Sequence, residues 1–152
     1  MQSAKQKVRI SDQMEAAGVA CFLSRFSSVH SKYTIAQMAH RLEDSIRNNR
    51  FRYYSTQENG PIGFCAWTYL SDETLEQIFQ TGREIRQEEF GQGSNLFFVE
   101  MLAPFGHFKW IVRDLKKNKA VLFPNKKVGH SLRVRSDSAS EECTFRAARF
   151  LF

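Results

Sequence analysis

The run NLFFVEML, residues 95–102, constrains this chain more than any other segment. Its apolar side chains follow one another without alternation, the pattern of a strand covered on both faces rather than one that faces water. Covering both faces takes helices above and below a sheet, so the run points to an α/β fold. Its one departure is Glu100. A carboxylate is costly to bury unpaired, so Glu100 must meet a cation, as a structural ion pair with one of the many arginines would provide, or be positioned for a task.

The flanking sequence extends this reading. The turn APFGH leads into a helix with Phe108, Ile111, Val112 and Leu115 on one face, and AVLF, residues 120–123, then reads as a short strand. Strand, helix and strand in that order predict a right-handed parallel crossover, with ligands at the carboxyl ends of the strands near Ala103 to His107. Upstream, Met14, Ala17, Ala20, Cys21 and Ser24 recur at helical spacing over residues 12–26, although Gly18 weakens the pattern. Thr34 and Gln37 form a capping box for a second helix that carries Ile35, Met38, Ala39, Leu42 and Ile46 as far as Asn48-Asn49. FRYYST and IGFCAWTY flank QENGP, where Asn59-Gly60 suits a hairpin turn. Ser71, Asp72 and Glu73 open a third helix with Leu75, Ile78, Phe79 and Ile85 inward, interrupted or bent near Gly82 and ending by Gly91 to Gly93. SLRVR and CTFRAARF read as closing strands separated by the polar tract SDSASEE. With no repeats and no long linker, residues 1–152 are expected to form one domain, with residues 1–11 disordered ahead of it.

Function is less directly written. A net charge of +6 favours an anionic partner. Cys21, Cys65 and Cys143 are widely spaced and make neither a disulfide framework nor a zinc site, so no metal is expected. The N-terminus lacks a signal-type apolar core and no run is long enough to span a bilayer, which predicts a cytoplasmic chain without membrane insertion. The phosphate-binding loop, dinucleotide fingerprint, His-Glu-x-x-His and Gly-x-Ser-x-Gly are all missing. His30, His40, His107 and His130 lie far apart, and a lone histidine is more often a hydrogen-bonded or surface residue than a catalyst. His30 sits in SSVHSKY with Ser27 just before it. Backbone amides at Phe105, Gly106 and His107 open a helix and can bind an oxyanion, though a plain strand-to-helix turn explains them as well. The rings of Phe51, Tyr53, Tyr54, Phe64 and Trp67 beside a basic face leave a nucleic-acid-binding module open.

Four segments in a fixed order carry a resemblance: Ser27-Ser28-Val29-His30 at a helix end, IGFCAWTYLS, LFFVEMLAPFG and a late Leu132-Arg133-Val134-Arg135. In this the chain resembles the toxin-activating lysine acyltransferases, bacterial enzymes that fatty-acylate lysines of RTX pore-forming toxins. The resemblance runs from about Gly18 to Arg146 and is most specific at APFG with an acidic residue four positions before its proline. It implies a mixed sheet flanked by helices like that of the Gcn5-related N-acetyltransferases. It also implies His30 and Glu100 as a catalytic pair assisted by Ser27, with His30 as general base or as a transient acyl carrier. The donor would be the acyl-phosphopantetheine of an acyl carrier protein, with no permanently bound cofactor. A protoxin would be the acceptor, and a homodimer fits the family. On this reading amides around Cys65, Ala66 and Trp67, or around Phe105, Gly106 and His107, hold the oxyanion and acyl donor, and Lys116, Lys117 and Lys119 meet the carrier protein. The chain departs from the family pattern with Glu100 for Asp, Tyr33 for Trp and a shorter tail, which keeps a catalytically inactive carrier-binding scaffold as a further reading.

Overall fold

The computed structural model describes residues 10–136 and 143–152. Five strands lie in chain order: β1 (Phe51–Thr56), β2 (Gly60–Leu70), β3 (Asn95–Leu102), β4 (Val128–Ser136) and β5 (Cys143–Leu151). All neighbours are antiparallel except β3 and β4, which run parallel. The helices are α1 (Ile10–Ser24), α2 (Ile35–Arg47), α3 (Asp72–Thr81), α4 (Phe108–Lys117) and the single turn α5 (Lys119–Leu122). This five-stranded mixed sheet flanked by helices is the architecture expected of a Gcn5-related N-acetyltransferase-like chain. Among the described residues no helix is long and apolar enough to cross a membrane.

β3 is the central strand, and its apolar run is covered on both faces. Leu96 and Phe98 pack with Ile111 and Leu115 of α4, while Phe97 and Val99 pack with Leu75 and Ile78 of α3. The hairpin turns through Gly60 at φ 65°. Thr34 accepts from the Gln37 amide, and the Gln37 side chain returns the bond to complete the capping box of α2.

Four sequence expectations shift. In α1 the expected Ala20 and Ser24 are buried, together with Ala16, Val19 and Leu23, whereas Met14 and Cys21 are exposed. The stripe centred one position toward the N-terminus brings Val19 and Leu23 into the core at the same spacing. In α2, Met38, Leu42 and Ile46 are buried but Ile35, at the first turn, is exposed. The third helix is interrupted at Gly82 as expected but does not run on toward Gly91: it stops at Thr81 because Gly82 takes the left-handed conformation at φ 68° and caps it, and Phe145 packs where a Cβ would sit. AVLF is helical through Leu122, not extended: Phe123 is buried and Leu122 packs partly against the same core, while Val121 stays in water. The parallel partner of β3 is therefore β4, reached through α4 and α5. The disorder expected of residues 1–11 falls outside the described residues except at Ile10 and Ser11, which open α1. The tract SDSASEE likewise lies outside them except for Ser136, the last residue of β4.

Two irregularities along β3 distinguish its C-terminal half. Its register against β2 pairs Ala66 with Glu100 but Trp67 with Phe98, leaving Val99 as an extra residue. Such a bulge re-aims the next side chain. Unbroken alternation would put Glu100 on the α4 face with Phe98; the bulge puts it with Ala66 and Leu102 on the face of α1 and α2. On its other side, β3 pairs with β4 only from Leu96–Gly129 to Phe98–Ser131. Beyond that point the two strands part and a cavity opens between them.

Candidate active site

The cavity has a volume of about 340 Å³ and is walled by β3 from Phe98 to Met101 and by β4 from Ser131 to Val134. Ser27, His30, Tyr33 and Arg41 close it from the α1–α2 side. Glu100 is 2% exposed and both its oxygens are engaged. Oε2 lies 2.5 Å from His30 Nε2, and Oε1 accepts from Arg41 Nε. Arg41 is itself fixed by the Val99 carbonyl at 2.9 Å and by Glu84 at 2.5 Å, with its guanidinium over the Tyr33 ring. The carbonyl that receives Arg41 thus belongs to the bulged residue. One irregularity turns Glu100 toward His30 and supplies an anchor for the cation that neutralises it.

His30 begins a short 3-10 turn, His30–Lys32, that follows α1. Its Nδ1 lies 2.6 Å from Ser27 Oγ, which also accepts the His30 amide at 3.3 Å. The Tyr33 ring stands edge-on to the imidazole at 5.5 Å between centroids. Burial pushes the Glu100 carboxyl up, but the hydrogen bond from His30 and the charges of Arg41 and His30 outweigh it and hold the pKa below the ordinary carboxylate range. An ionised carboxylate only accepts, so neutral His30 carries its proton on Nε2 and presents Nδ1 as acceptor to the Ser27 hydroxyl. Hydroxyl, imidazole and carboxylate form one chain along the cavity wall. Such a chain can take a proton at Nδ1 while the carboxylate stabilises the imidazolium.

The structure brings Ser27, His30 and Glu100 together; of the other candidates, Ala66 is paired across the strands with Glu100, and none lines the cavity. Cys65, Ala66 and Trp67 lie within β2, paired to β1 and β3 and buried at 0%, 0% and 3% exposure. Burial pushes the Cys65 thiol up to about 12, so it is no nucleophile near neutral pH. Phe105, Gly106 and His107 occupy the turn into α4. They do not line the cavity, though the next residue, Phe108, does. His107 Nδ1 is buried without a hydrogen-bond partner. Lys116, Lys117 and Lys119 are exposed at the opposite end of α4, roughly 12 Å of helix from Phe108. The other histidines are structural: His40 bonds the Ile85 carbonyl, and His130 bonds that of Leu96. Tyr54, Phe64 and Trp67 are at most 7% exposed, which overturns the base-stacking reading of the hairpin rings. Sequence reasoning missed Arg41 altogether, because its position in α2 carries no motif and its role depends on the bulge.

The chain is 29% identical over 126 residues to the lysine-acyltransferase RtxC of Vibrio cholerae, an alignment covering 83% of this chain and 82% of that protein. It is 34% identical over 128 residues to an uncharacterized protein of Synechocystis, covering 83% and 85%. To the protein-lysine myristoyltransferase HlyC of Escherichia coli it is 25% identical over 110 residues, 72% of this chain and 63% of that one. The model of the RTX toxin acyltransferase family matches residues 9–146, a span that includes Ser27, His30, Arg41 and Glu100. The chain belongs to the RTX toxin acyltransferase family.

Proposed function

We propose that this acyltransferase moves a fatty acyl chain from the phosphopantetheine thioester of an acyl carrier protein to the ε-amine of internal lysines in an RTX-type protoxin, in the cytoplasm. The observation that carries the reading is the Ser27–His30–Glu100 chain on the wall of the cavity between β3 and β4. A free lysine amine with a pKa near 10.4 is mostly protonated at neutral pH, and removing its proton there costs about 4.6 kcal/mol before attack begins. His30 takes that proton at Nδ1, with Ser27 either relaying it or yielding the position. Glu100 holds the tautomer and offsets the imidazolium charge. The amine nitrogen then attacks the thioester carbonyl. Collapse of the tetrahedral intermediate forms the amide, breaks the carbon–sulfur bond and releases the carrier thiol, which takes up one proton.

Arg41 acts through Glu100. Without it the carboxylate would be a buried charge shared only with an imidazole, and protonation of either would be the easier outcome. The test is acylation of a protoxin fragment by acyl carrier protein loaded with a fatty acid, read by mass spectrometry as acyl-lysine. Modified lysine with the native protein and none with His30→Ala is the expected result. Equal modification by both would remove His30 from the chemistry.

A further inference from the structure

A second groove of about 300 Å³ wraps the free edge of β5, lined by Arg133, Arg146, Ala147, Ala148 and Arg149. Arg133 and Arg146 are directly opposed across β4 and β5. Like charges in that relation repel and weaken a sheet. Arg149, three residues from Arg146 along β5 and paired with His130, faces the other side of the sheet, and among the described residues no carboxylate forms an ion pair with Arg133 or Arg146. An anion between them would turn that repulsion into attraction. Arg133 also lines the cavity that holds His30, and its guanidinium lies over the Phe108 ring at 5.5 Å, which fixes the cation where the two spaces meet.

The separation suits one part of the donor. Neighbouring strands are about 5 Å apart, so β5 lies at least about 10 Å from Glu100 on β3. From phosphorus to sulfur a pantetheine arm has thirteen bonds and spans on the order of 15 Å when extended. A thioester carbonyl at His30 therefore leaves the arm's phosphate within reach of the arginine groove. We infer that Arg133 and Arg146 bind the phosphodiester at the base of the donor's pantetheine arm. This rests on the donor chemistry proposed above and assigns the anion to the edge of β5 instead of to Lys116, Lys117 and Lys119.

Titration of the protein with 4′-phosphopantetheine and with pantetheine tests it, since the two differ only in the phosphate and no turnover is needed. The phosphorylated arm is expected to bind about tenfold tighter or more, as charge-assisted contacts to a phosphate warrant. Arg146→Gln, at an exposed position, should reduce that preference and leave pantetheine affinity unchanged, whereas Arg149→Gln on the other face should change neither. Equal affinities for the two probes, or a preference that survives Arg146→Gln, would overturn the inference. So would variants that weaken binding of the whole carrier protein but not of free 4′-phosphopantetheine, because the arginines would then read the carrier's surface. Failure of acylation with the phosphate preference intact would sink the proposed reaction and leave this site standing.

Discussion

Glu100 and Asp114 stand on opposite faces of the same sheet, and each holds an arginine from a neighbouring element: Arg41 of α2 for the first, Arg52 of β1 for the second. The Asp114 cluster fastens α4 to the sheet. Its carboxylate takes Arg52 at 2.8 Å, the Tyr54 hydroxyl at 2.8 Å and the Asn118 amide at 2.9 Å. Burial pushes the Tyr54 phenol far above its ordinary pKa, so that partner keeps its proton throughout the physiological range. At Glu100 the corresponding partner is an imidazole, the side chain suited to exchanging protons near neutrality. The side chains of Glu100 and Asp114 are 1% and 20% exposed, and Glu100 lines the cavity whereas Asp114 does not. A carboxylate–arginine pair thus serves as a clamp in one place and as the base of a proton-handling chain in the other. The third partner and the adjoining space make the difference.

The largest effects should break this comparison outright. His30→Ala is expected to lower the single-turnover acylation rate by about 1,000-fold or more with a small change in melting temperature, because Arg41 still neutralises Glu100. Glu100→Gln keeps size and removes charge, so the rate should fall by orders of magnitude and stability should fall as well, since Arg41 loses its buried partner. Asp114→Asn should lower stability alone. A rate loss in Asp114→Asn comparable to that in Glu100→Gln would erase the distinction between the clusters.

Next come the arginines. Arg41→Gln removes the cation that offsets the almost wholly buried Glu100 carboxylate and should destabilise the fold by about 3 kcal/mol. Arg52 is more than a third exposed, and solvent screening limits Arg52→Gln to about 1 kcal/mol or less. Urea unfolding of both variants measures the contrast, and equal losses would show that burial is not what separates the pairs. Acid titration sharpens it. The Glu100 carboxyl has a folded pKa below its ordinary value, so on acidification the unfolded chain binds the proton first. Its contribution is complete above the ordinary glutamate pKa of about 4.3 and is lost as pH falls below that toward the folded value. Between about pH 5 and 3, stability should therefore fall more steeply in the native protein than in Glu100→Gln. Parallel curves would mean that the carboxylate gains nothing from its partners.

How far the sequence discloses this site depends on which physical signal each residue leaves. Glu100 stands out because a charge within an apolar strand demands an explanation, and both explanations open to it hold at once: one oxygen meets the imidazole and the other an arginine. His30 and Ser27 leave only a short polar segment before a capping box, and the family resemblance singles them out. The β-sheet is largely legible from burial patterns and turn chemistry, as in the turn at Gly60, and α2 from the capping box at Thr34. What escapes is the bulge at Val99, which no local propensity announces because it is set by register against β2. Without the bulge, neither the direction of Glu100 nor the role of Arg41 can be derived. AVLF escapes for a related reason, since a short apolar run fits a strand or a turn of helix until its neighbours decide.

The smallest effects concern the third member of each cluster and test the comparison most finely. Ser27→Ala removes a neutral hydrogen bond to His30 Nδ1 and an acceptor for the His30 amide. The ring stays oriented by Glu100 at 2.5 Å, so the loss should be about 1 kcal/mol in the transition state, or roughly five- to tenfold in rate. Tyr54→Phe removes a hydroxyl from Asp114, which keeps Arg52 and Asn118, and should cost about 1 kcal/mol of stability with the rate unchanged. The two substitutions delete chemically similar bonds to opposite ends: one should appear in single-turnover kinetics and the other in unfolding curves. A Ser27→Ala rate as low as that of His30→Ala would contradict an assisting role, because a hydroxyl that only orients the base cannot matter as much as the base itself. The hydroxyl would then be the nucleophile, with His30 activating it and the acyl group passing through a serine ester that intact-mass spectrometry of the enzyme would detect.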